Sequence, residues 1–310
     1  MNRIVLNALW ATLHFYVGWR LCASLAEWPW LTALFLSLLV LSYVLLLFEL
    51  QFRRRAHRFS DQLPWASMTA MDLFSTLFVL TLLRDVLLFL VAAIAWAMTS
   101  EFTAAFSTIA WSTLATGTAM FVLLSTLVIT VLGMWNARRT AAIVKVDVPI
   151  SGLPAALHGF AIAQISDIHV GPTIKGRYVD AIVNAVNRLN AGVTDVSAHH
   201  FDSAHRSSPQ SALANAPEHV FVRVLLAHQP RSAHEAANAG FNLQLSGHTH
   251  GGQFWPWNFF VRLQQPFTAG LHRLQGLWVY VSRGTGYWGP PKHFGAPSEI
   301  TYLRLVKERC

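Results

Sequence analysis

Long apolar runs occupy the first half of the chain, and short alternating runs occupy the second half. Four apolar segments precede residue 140, and each is close to or longer than the ~20 residues with which a helix crosses a bilayer. Because segments of this length are not typical of soluble core helices, we predict a four-helix transmembrane region over residues 1–140. The predicted spans are 4–24, 30–50, 70–98 and 108–135.

Basic residues beside these segments predict their orientation. The run Arg53-Arg54-Arg55 lies between the second and third segments, and Arg138-Arg139 follows the fourth, whereas the two other loops contain only Arg20 against Glu27 and Glu101. All basic clusters fall on one side if the N-terminus is cytoplasmic. We therefore predict a multi-pass protein of the cell (inner) membrane with a cytoplasmic C-terminal half.

The third segment contains two adjacent charged residues, Arg84 and Asp85, near its middle. Neighbouring residues do not face each other on a helix, so each needs a partner of its own. A charge inside a membrane is by default a functional candidate. The alternative is that the pair marks a snorkelling point or a break in the helix.

The second half of the chain predicts a mixed α/β domain over 158–310, reached through a connector over 141–157. Polar residues follow three predicted strands: Asp167 and His169 after 160–166, His228 after 220–227, and His248 and His250 after 241–246. Ligand sites in open α/β sheets lie at such strand ends. Further strands are predicted at 277–282 and 299–305 and helices at 177–189 and 232–239, whereas 191–218 is polar and irregular.

Two histidines two residues apart and bracketed by glycines, as in Gly247-His248-Thr249-His250-Gly251, can turn toward one point. Imidazole and carboxylate together suit ions such as zinc, manganese and iron. The alternative is a polar turn that contains histidine by chance. The remaining histidines of this half include four that we expect on the surface: His158, His219, His234 and His272.

These motifs together resemble the calcineurin-like metallophosphoesterases, most closely their membrane-anchored bacterial type, over about residues 158–306. The resemblance implies an αββα sandwich with two divalent ions (Mn, Fe or Zn) at the strand ends. It also implies hydrolysis of a phosphomonoester or phosphodiester by metal-activated water. By resemblance, Asp167, His169 and His250 would hold one ion, and His228 and His248 the other.

The chain departs from that family between Asp167 and His228, which are only 61 residues apart. The family's Gly-Asp-x-x-Asp motif, with its bridging carboxylate, and its Gly-Asn-His motif, with a catalytic histidine, are both missing. The chain therefore resembles a shortened domain with an internal deletion, in which the catalytic residue is unknown and at most one ion binds tightly. The nearest residues that could replace the missing ligands are Asp195, Asp202, His199 and His200.

The hydrophobic content and the net charge favour a membrane-associated function over nucleic-acid binding. The chain is 54% hydrophobic and carries a formal charge of +8, with no nucleic-acid motif, so its basic residues point to an anionic bilayer surface. Cys22 and Cys310 form no disulfide framework. The leading hypothesis is a membrane-anchored metallophosphoesterase acting on a phosphoester at the membrane surface. The alternatives are a non-catalytic metal- or phosphate-binding relative and a purely structural membrane protein, and the oligomeric state is open.

Overall fold

The computed structural model describes residues 3–56, 62–97, 108–171, 173–197, 208–214, 217 and 219–308. The chain divides into two compact units, Met1–Leu132 and Gly133–Cys310. The first unit is helical and the second contains all eight strands of the described residues.

Four long helices make up the first unit: α1 (Arg3–Ser24), α2 (Pro29–Ala56), α3 (Gln62–Ala97) and α4 (Thr108–Arg138). Within the described residues, three stretches are long and apolar enough to cross a membrane, namely Pro29–Phe48, Gln62–Ala97 and Ala110–Arg138. Helix α1 is not among them. The chain is therefore a multi-pass helical membrane anchor followed by an α/β domain.

The helical unit has an apolar core around Val17 and Leu21, and unlike a soluble bundle it is apolar on its outer surface too. Large apolar side chains such as Phe15, Phe89 and Trp96 point outward, and Trp96 is 86% exposed, whereas Asp72 and Thr81 are fully buried. Lipid tails solvate apolar side chains, and polar groups in a membrane protein turn to the bundle interior. The unit thus presents an apolar surface of the kind that a bilayer covers.

The second unit consists of two four-stranded sheets. In the first sheet the strand order is β1-β8-β2-β3, and in the second it is β4-β5-β7-β6. Strand β8 runs parallel to β1 and antiparallel to β2, and β4, β5 and β7 run parallel to one another. The strands are β1 (Ala142–Ile150), β2 (Ala161–Ser166), β3 (Val193–Ser197), β4 (Val224–Leu226), β5 (Leu243–Ser246), β6 (Gly270–Leu274), β7 (Leu277–Val281) and β8 (Glu299–Lys307).

The two sheets pack face to face, and helices cover their outer faces. Leu243 and Leu245 of β5 meet Leu303 of β8 in the central core. Helix α5 (Gly176–Asn187) covers the first sheet with Ile182, and α7 (Ala233–Asn238) covers the second with Ala236. Period-two alternation along β7 sends Val279 and Tyr280 to opposite faces. The result is an αββα sandwich, completed by the short helices α6 (Pro209–Leu213) and α8 (Trp257–Phe260).

Several elements differ from the sequence-based expectation. Residues assigned to the connector form β1, an edge strand whose exposed Asp147 pairs with Arg304 and whose edge position tolerates Pro149. The irregular segment contains β3 and α6, the strand over 220–227 is confined to β4, and β6 was not predicted. Each of these strands is short, polar or at a sheet edge, so its burial pattern is weak.

Candidate metal centre

The carboxyl ends of β2 and β5 meet where the two sheets touch. The side-chain amide of Gln164 donates to the carbonyl oxygen of Ser246 at 3.1 Å. This hydrogen bond joins β2 and β5 shortly before Asp167 and His248. Gly247 then passes so close to Asp167 that a Cβ there would lie 2.2 Å from Oδ2. Only glycine fits at this crossing, which brings Asp167-x-His169 and His248-x-His250 to one edge of the sandwich.

Asp167 Oδ1 is the centre of this edge. The Nε2 atoms of His228, His250 and His169 lie 3.5, 3.6 and 3.7 Å from it. These separations are too long for hydrogen bonds. The other carboxylate oxygen, Oδ2, accepts a hydrogen bond of 3.0 Å from the backbone N–H of His248. The carboxylate is therefore fixed through Oδ2 while Oδ1 faces the imidazoles.

The ligand atoms of Asp167, His169 and His250 fit one divalent ion. They lie within 4.8 Å of one another, and the two Nε2 atoms are 3.1 Å apart. Ligands bound ~2.0–2.2 Å from a zinc ion in tetrahedral geometry are separated by about 3.3–3.6 Å, close to the spacing here. The buried Nδ1 of His250 has no hydrogen-bond partner among the described residues, so the ring's position depends on packing and on Nε2. A carboxylate and two imidazoles are suitable donors for Zn, Mn or Fe.

The backbone at this edge adopts a rare conformation. Four of the five predicted ligands have positive φ: Asp167 (57°), His169 (52°), His248 (71°) and His250 (50°). Only three other non-glycine residues in the described ranges do so. Asp and His tolerate this region better than most residues, but each such residue still costs about 1–3 kcal/mol unless its surroundings hold it in place. Clustered strain of this kind is typical of functional sites.

Two glycines of the loop after β7 close the site from the other side. A Cβ at Gly284 would lie 2.8 Å from His250 Nδ1 and 3.2 Å from Asp167 Cβ, and one at Gly286 would lie 2.4 Å from the carbonyl oxygen of Ile168. The loop therefore packs directly on the two ligand turns. The side chain of Thr285 between them is buried and donates to the carbonyl oxygen of Glu299.

Electrostatics keeps the carboxylate charged and the most buried imidazole neutral. Burial acts to raise the pKa of Asp167, but His169, His250, His228 and the backbone N–H of His248 outweigh it and hold the pKa well below its usual range. Burial lowers the pKa of His250 to about 4, although Asp167 opposes the shift. Asp167 thus carries a negative charge, and His250 keeps a lone pair available for a metal ion.

A buried polar cluster behind the site was not predicted from the sequence. Glu299, 1% exposed, accepts hydrogen bonds from Tyr280 OH at 2.6 Å and from the Arg283 guanidinium at 2.9 Å. Burial and Glu299 raise the pKa of Tyr280. The stem of Arg283 lies against Gly251 in the histidine turn. The sequence feature that could have indicated this cluster is Glu299, an acidic residue at the start of a predicted strand.

The five predicted ligands lie at the same sheet edge, and three of them, Asp167, His169 and His250, have ligand atoms within 4.8 Å of one another. The rings of His228 and His248 are adjacent, with centroids 5.3 Å apart. Of the replacement candidates, Asp195 lies in β3, whereas His199, His200 and Asp202 are outside the described residues, as is the side chain of Asp195. His158, His219 and His234 are exposed as expected, but His272 is half-buried against Phe267.

Arg84 and Asp85 form a separate cluster within the helical unit. Asp85 accepts hydrogen bonds from Tyr16 and Arg20 of α1, both at 2.6 Å, and Arg84 contacts Asp85 itself at 3.2 Å. Each charge has partners from another helix, as expected, although the two side chains also meet each other. The remaining Arg84 donors reach Ser24, Ala115 and Thr118, beside a cavity of about 570 Å³.

Comparison with known proteins identifies several that are similar to this chain. The chain is 29% identical over 271 residues to "Transmembrane protein with metallophosphoesterase domain" of Bos taurus, covering 58% of this chain and 60% of that protein. The Danio rerio protein of the same name is 29% identical over 268 residues, covering 59% and 61%. The bovine alignment runs over more positions than this chain contributes, so part of the relative has no counterpart here.

A bacterial protein is similar to this chain over a shorter region but with a higher percentage of identical residues. An "Uncharacterized metallophosphoesterase" of Helicobacter pylori is 48% identical over 85 residues, covering 27% of this chain and 23% of that protein. No family profile matches the chain, and no solved structure does. The chain spans less than two thirds of the length of each of these relatives. By these similarities and the side-chain cluster at its sheet edge, the chain is similar to proteins named metallophosphoesterases, transmembrane ones among them.

Proposed function

We propose that this chain is a membrane-anchored, metal-dependent phosphoesterase that hydrolyses a phosphomonoester or phosphodiester, with reduced activity compared with a two-metal enzyme. The observation that supports this best is the convergence of Asp167 Oδ1, His169 Nε2 and His250 Nε2 on one point. Relatives named as metallophosphoesterases supply the reaction class.

The chain's own residues would divide the work as follows. Asp167, His169 and His250 would hold a divalent ion, with the His248 backbone N–H fixing the carboxylate. A bound divalent ion at such a site supplies Lewis acidity toward phosphoryl oxygens and lowers the pKa of water. The Nε2 atom of His228 lies 3.5 Å from the same carboxylate oxygen. From there the imidazole would donate a hydrogen bond to a phosphate oxygen or transfer a proton.

Reduced activity follows from the number of carboxylates. The ligand group in the described residues contains one carboxylate, and two dications held beside a single negative charge repel each other with little compensation. We therefore expect one tightly bound ion per chain. A single ion provides half of the clamp that two metals place on the attacking and leaving oxygens.

The test combines metal content with turnover. Full-length protein in detergent, loaded with manganese, should contain one ion per chain and hydrolyse an aryl phosphate mono- or diester slowly. His250→Ala should abolish both, whereas the exposed His234→Ala should change neither. Two ions and rapid turnover, both lost in His250→Ala, would contradict the reduced site and would identify Asp195 or Asp202 as the first replacements to examine.

The alternative function is a non-catalytic membrane protein that binds a metal ion or a phosphate group. The single carboxylate of the ligand group favours it. Tight binding of one manganese ion without turnover of either a monoester or a diester would support this alternative. Turnover that follows the manganese occupancy of the site would exclude it.

We further propose that the second unit lies on the cytoplasmic side of a bacterial-type inner membrane. The arginine-rich segments before α3 and after α4 support this orientation, provided that α1 also spans. Helix α1 has 22 residues, long enough at about 1.5 Å per residue, and its Arg20 is paired with Asp85. A reporter fused after Cys310 should be active only in a cytoplasm-dependent form, and activity of a periplasm-dependent reporter would contradict the topology.

A further inference from the structure

An apolar rim borders the candidate metal centre. It comprises Trp257, Phe259, Phe260 and Leu263 of the α8 segment and Trp288 of the loop after β7, each between 51% and 83% exposed. Four of the five aromatic side chains at residues 254–260 are exposed, Trp255 among them at 37%. An exposed cluster of large apolar side chains marks an interaction surface.

The rim is joined rigidly to the ligand turn. Gly252 approaches α8 so closely that a Cβ would lie 2.2 Å from the Cα of Asn258. The side chain of Gln253 accepts from the Trp288 backbone N–H at 2.8 Å and donates to its carbonyl oxygen at 3.0 Å. Both halves of the rim therefore adjoin the residues that follow His250, so a surface that the rim contacts also lies next to the site.

Charge favours an anionic surface as the occupant. No Asp or Glu occurs between Glu235 and Glu299, a stretch of 63 residues that contains the whole rim. Arg262 lies exposed within the rim, and the exposed Arg138 and Arg139 precede the first strand. Basic side chains beside exposed aromatic and aliphatic ones are typical of segments that lie in the headgroup region of an anionic membrane.

Strand register shows at which edge of the second unit the chain enters the sheet. β1 begins beside the start of β8, at Ala142 opposite Glu299, and β2 ends beside the same part of β8, with Gln164 opposite Thr301. The chain thus enters the sheet at the edge where Asp167 lies. Only residues 139–141 separate the end of the candidate span at Arg138 from Ala142, a distance of no more than ~14 Å.

Contacts inside the second unit agree with that register. The last residues of α4, which belong to this unit, pack beside the site loops: Ala137 shares a cluster with Tyr287, and the backbone N–H of His293 donates to the carbonyl oxygen of Gly133 at 3.0 Å. The loop that carries Trp288 is therefore next to the end of a membrane helix.

From these observations we propose that the rim inserts into the interface of an anionic bilayer and that the substrate is a phosphoester carrying acyl chains in that leaflet. This substrate class rests on the proposed phosphoesterase function. In the reaction, the oxygen of water bonds to phosphorus and the phosphorus–oxygen bond to the lipid breaks. The lipid oxygen leaves with a proton that originates from the water, and the phosphoryl product enters the aqueous phase.

Insertion is measured without reference to activity. A full-length protein with Cys22→Ala and Cys310→Ser receives one environment-sensitive fluorophore at Phe259→Cys, and a matched protein receives it at Ala156→Cys. Ala156 is exposed and follows the end of β1 at the opposite edge of the sandwich. In vesicles of phosphatidylcholine and phosphatidylglycerol containing doxyl-labelled lipid, the 259 label should be quenched at least about threefold more than the 156 label.

Two quenching results would overturn insertion. Equal lipid quenching at both positions would mean that the rim stays in water. A 259 label shielded from both doxyl lipid and aqueous iodide would mean that a second copy of the chain or another protein covers the rim.

The substrate class has a separate measurement. Phe259→Ser/Phe260→Ser/Leu263→Ser should lower the manganese-dependent hydrolysis of long-chain phosphatidic acid in vesicles about tenfold and leave that of a short-chain, water-soluble phosphatidic acid unchanged. Equal losses on both substrates would overturn the lipid class. Turnover of neither lipid by a parent protein that hydrolyses an aryl phosphate would also overturn the lipid class. Turnover of no phosphoester at all would overturn the phosphoesterase function itself, while the quenching result would still decide insertion.

Discussion

Asp85 in the helical unit and Asp167 in the α/β unit are both buried or part-buried carboxylates among polar side chains, and they differ in the distance to those side chains. In the helical unit, Asp85 receives hydrogen bonds of 2.6–3.2 Å from Tyr16, Arg20 and Arg84. In the α/β unit, the imidazole nitrogens stand 3.5–3.7 Å from Asp167 Oδ1. Side chains donate hydrogen bonds to Asp85, whereas Asp167 accepts one from the backbone N–H of His248 and its neighbouring imidazoles stand beyond hydrogen-bond distance.

The chemistry of the donors explains this difference. Guanidinium and phenol groups donate hydrogen bonds to a carboxylate, and the guanidinium charge neutralises it. A neutral imidazole presents a lone pair as readily as a proton, and burial keeps His250 neutral. A carboxylate among lone pairs is a binding site for a cation, whereas a carboxylate among guanidinium groups is a structural ion pair. The two clusters therefore predict different consequences when the carboxylate is removed.

Removing the carboxylate of the metal centre should have the largest effect on binding. Asp167→Asn deletes the only negative charge of the ligand group, so manganese affinity should fall at least about a thousandfold, because even outer partners of metal ligands change affinity 10–100-fold. Isothermal titration calorimetry of the full chain in detergent measures this. Asp147→Asn, which breaks an exposed pair with Arg304, should leave the affinity unchanged. Retained manganese binding in Asp167→Asn would disprove the assigned ligand.

The same substitution in the helical unit should reduce stability instead. Asp85→Asn leaves Arg20 and Arg84 without their counter-charge, and breaking a buried ion pair on one side costs about 3–5 kcal/mol. We expect a loss near 3 kcal/mol because Arg20 is partly exposed. Detergent-induced unfolding followed by circular dichroism measures it, with Glu27→Gln as the control. A loss of manganese binding at unchanged stability would mean that the two clusters do not differ as proposed.

A matched pair of glycines tests how tightly the metal centre is packed. Gly284 and Gly289 both have positive φ, 82° and 68°, so alanine strains the backbone similarly at each. A Cβ at 284 would meet His250 Nδ1 at 2.8 Å, whereas nothing lies within 4 Å of one at 289. Gly284→Ala should therefore weaken manganese binding about tenfold, or ~1.4 kcal/mol, and Gly289→Ala should not. Equal affinities would show that His250 moves freely.

The sequence predicted the proximity of Asp167, His169 and His250 better than it predicted the partners of Asp85. The turns after β2 and β5 were recognisable because a buried strand precedes each and a carboxylate or imidazole recurs at a spacing of two. The partners of Asp85 were not recognisable, since Tyr16 and Arg20 lie 69 and 65 residues away and helix packing alone brings them together. Local motifs can be read from a chain, whereas contacts between helices depend on crossing geometry.

In the two sheets, too, the sequence predicted some elements and missed others. The central strands β2, β5 and β7 were predicted because apolar residues recur along each of them, as expected of strands whose faces are buried. The edge strand β1 alternates charged and apolar residues, and only Val148 and Ile150 near its end are fully buried. β3 is short and polar, and its place beside β2 comes from register, with Ser197 opposite Ser166. Its end therefore lies at the site edge, immediately before His199, His200 and Asp202.

The smallest expected effect concerns the histidine that separates a one-ion from a two-ion centre. If one ion binds to Asp167, His169 and His250, then His228→Ala removes a neighbour of the carboxylate but no ligand. Manganese affinity should change less than about threefold, below the 10–100-fold of an outer partner, and the stoichiometry should stay at one. A fall from two ions to one in His228→Ala would instead mean that a second ion is held beside His248. Asp202→Asn, compared with Asp180→Asn on α5, would then identify whether the segment after β3 supplies the missing carboxylate.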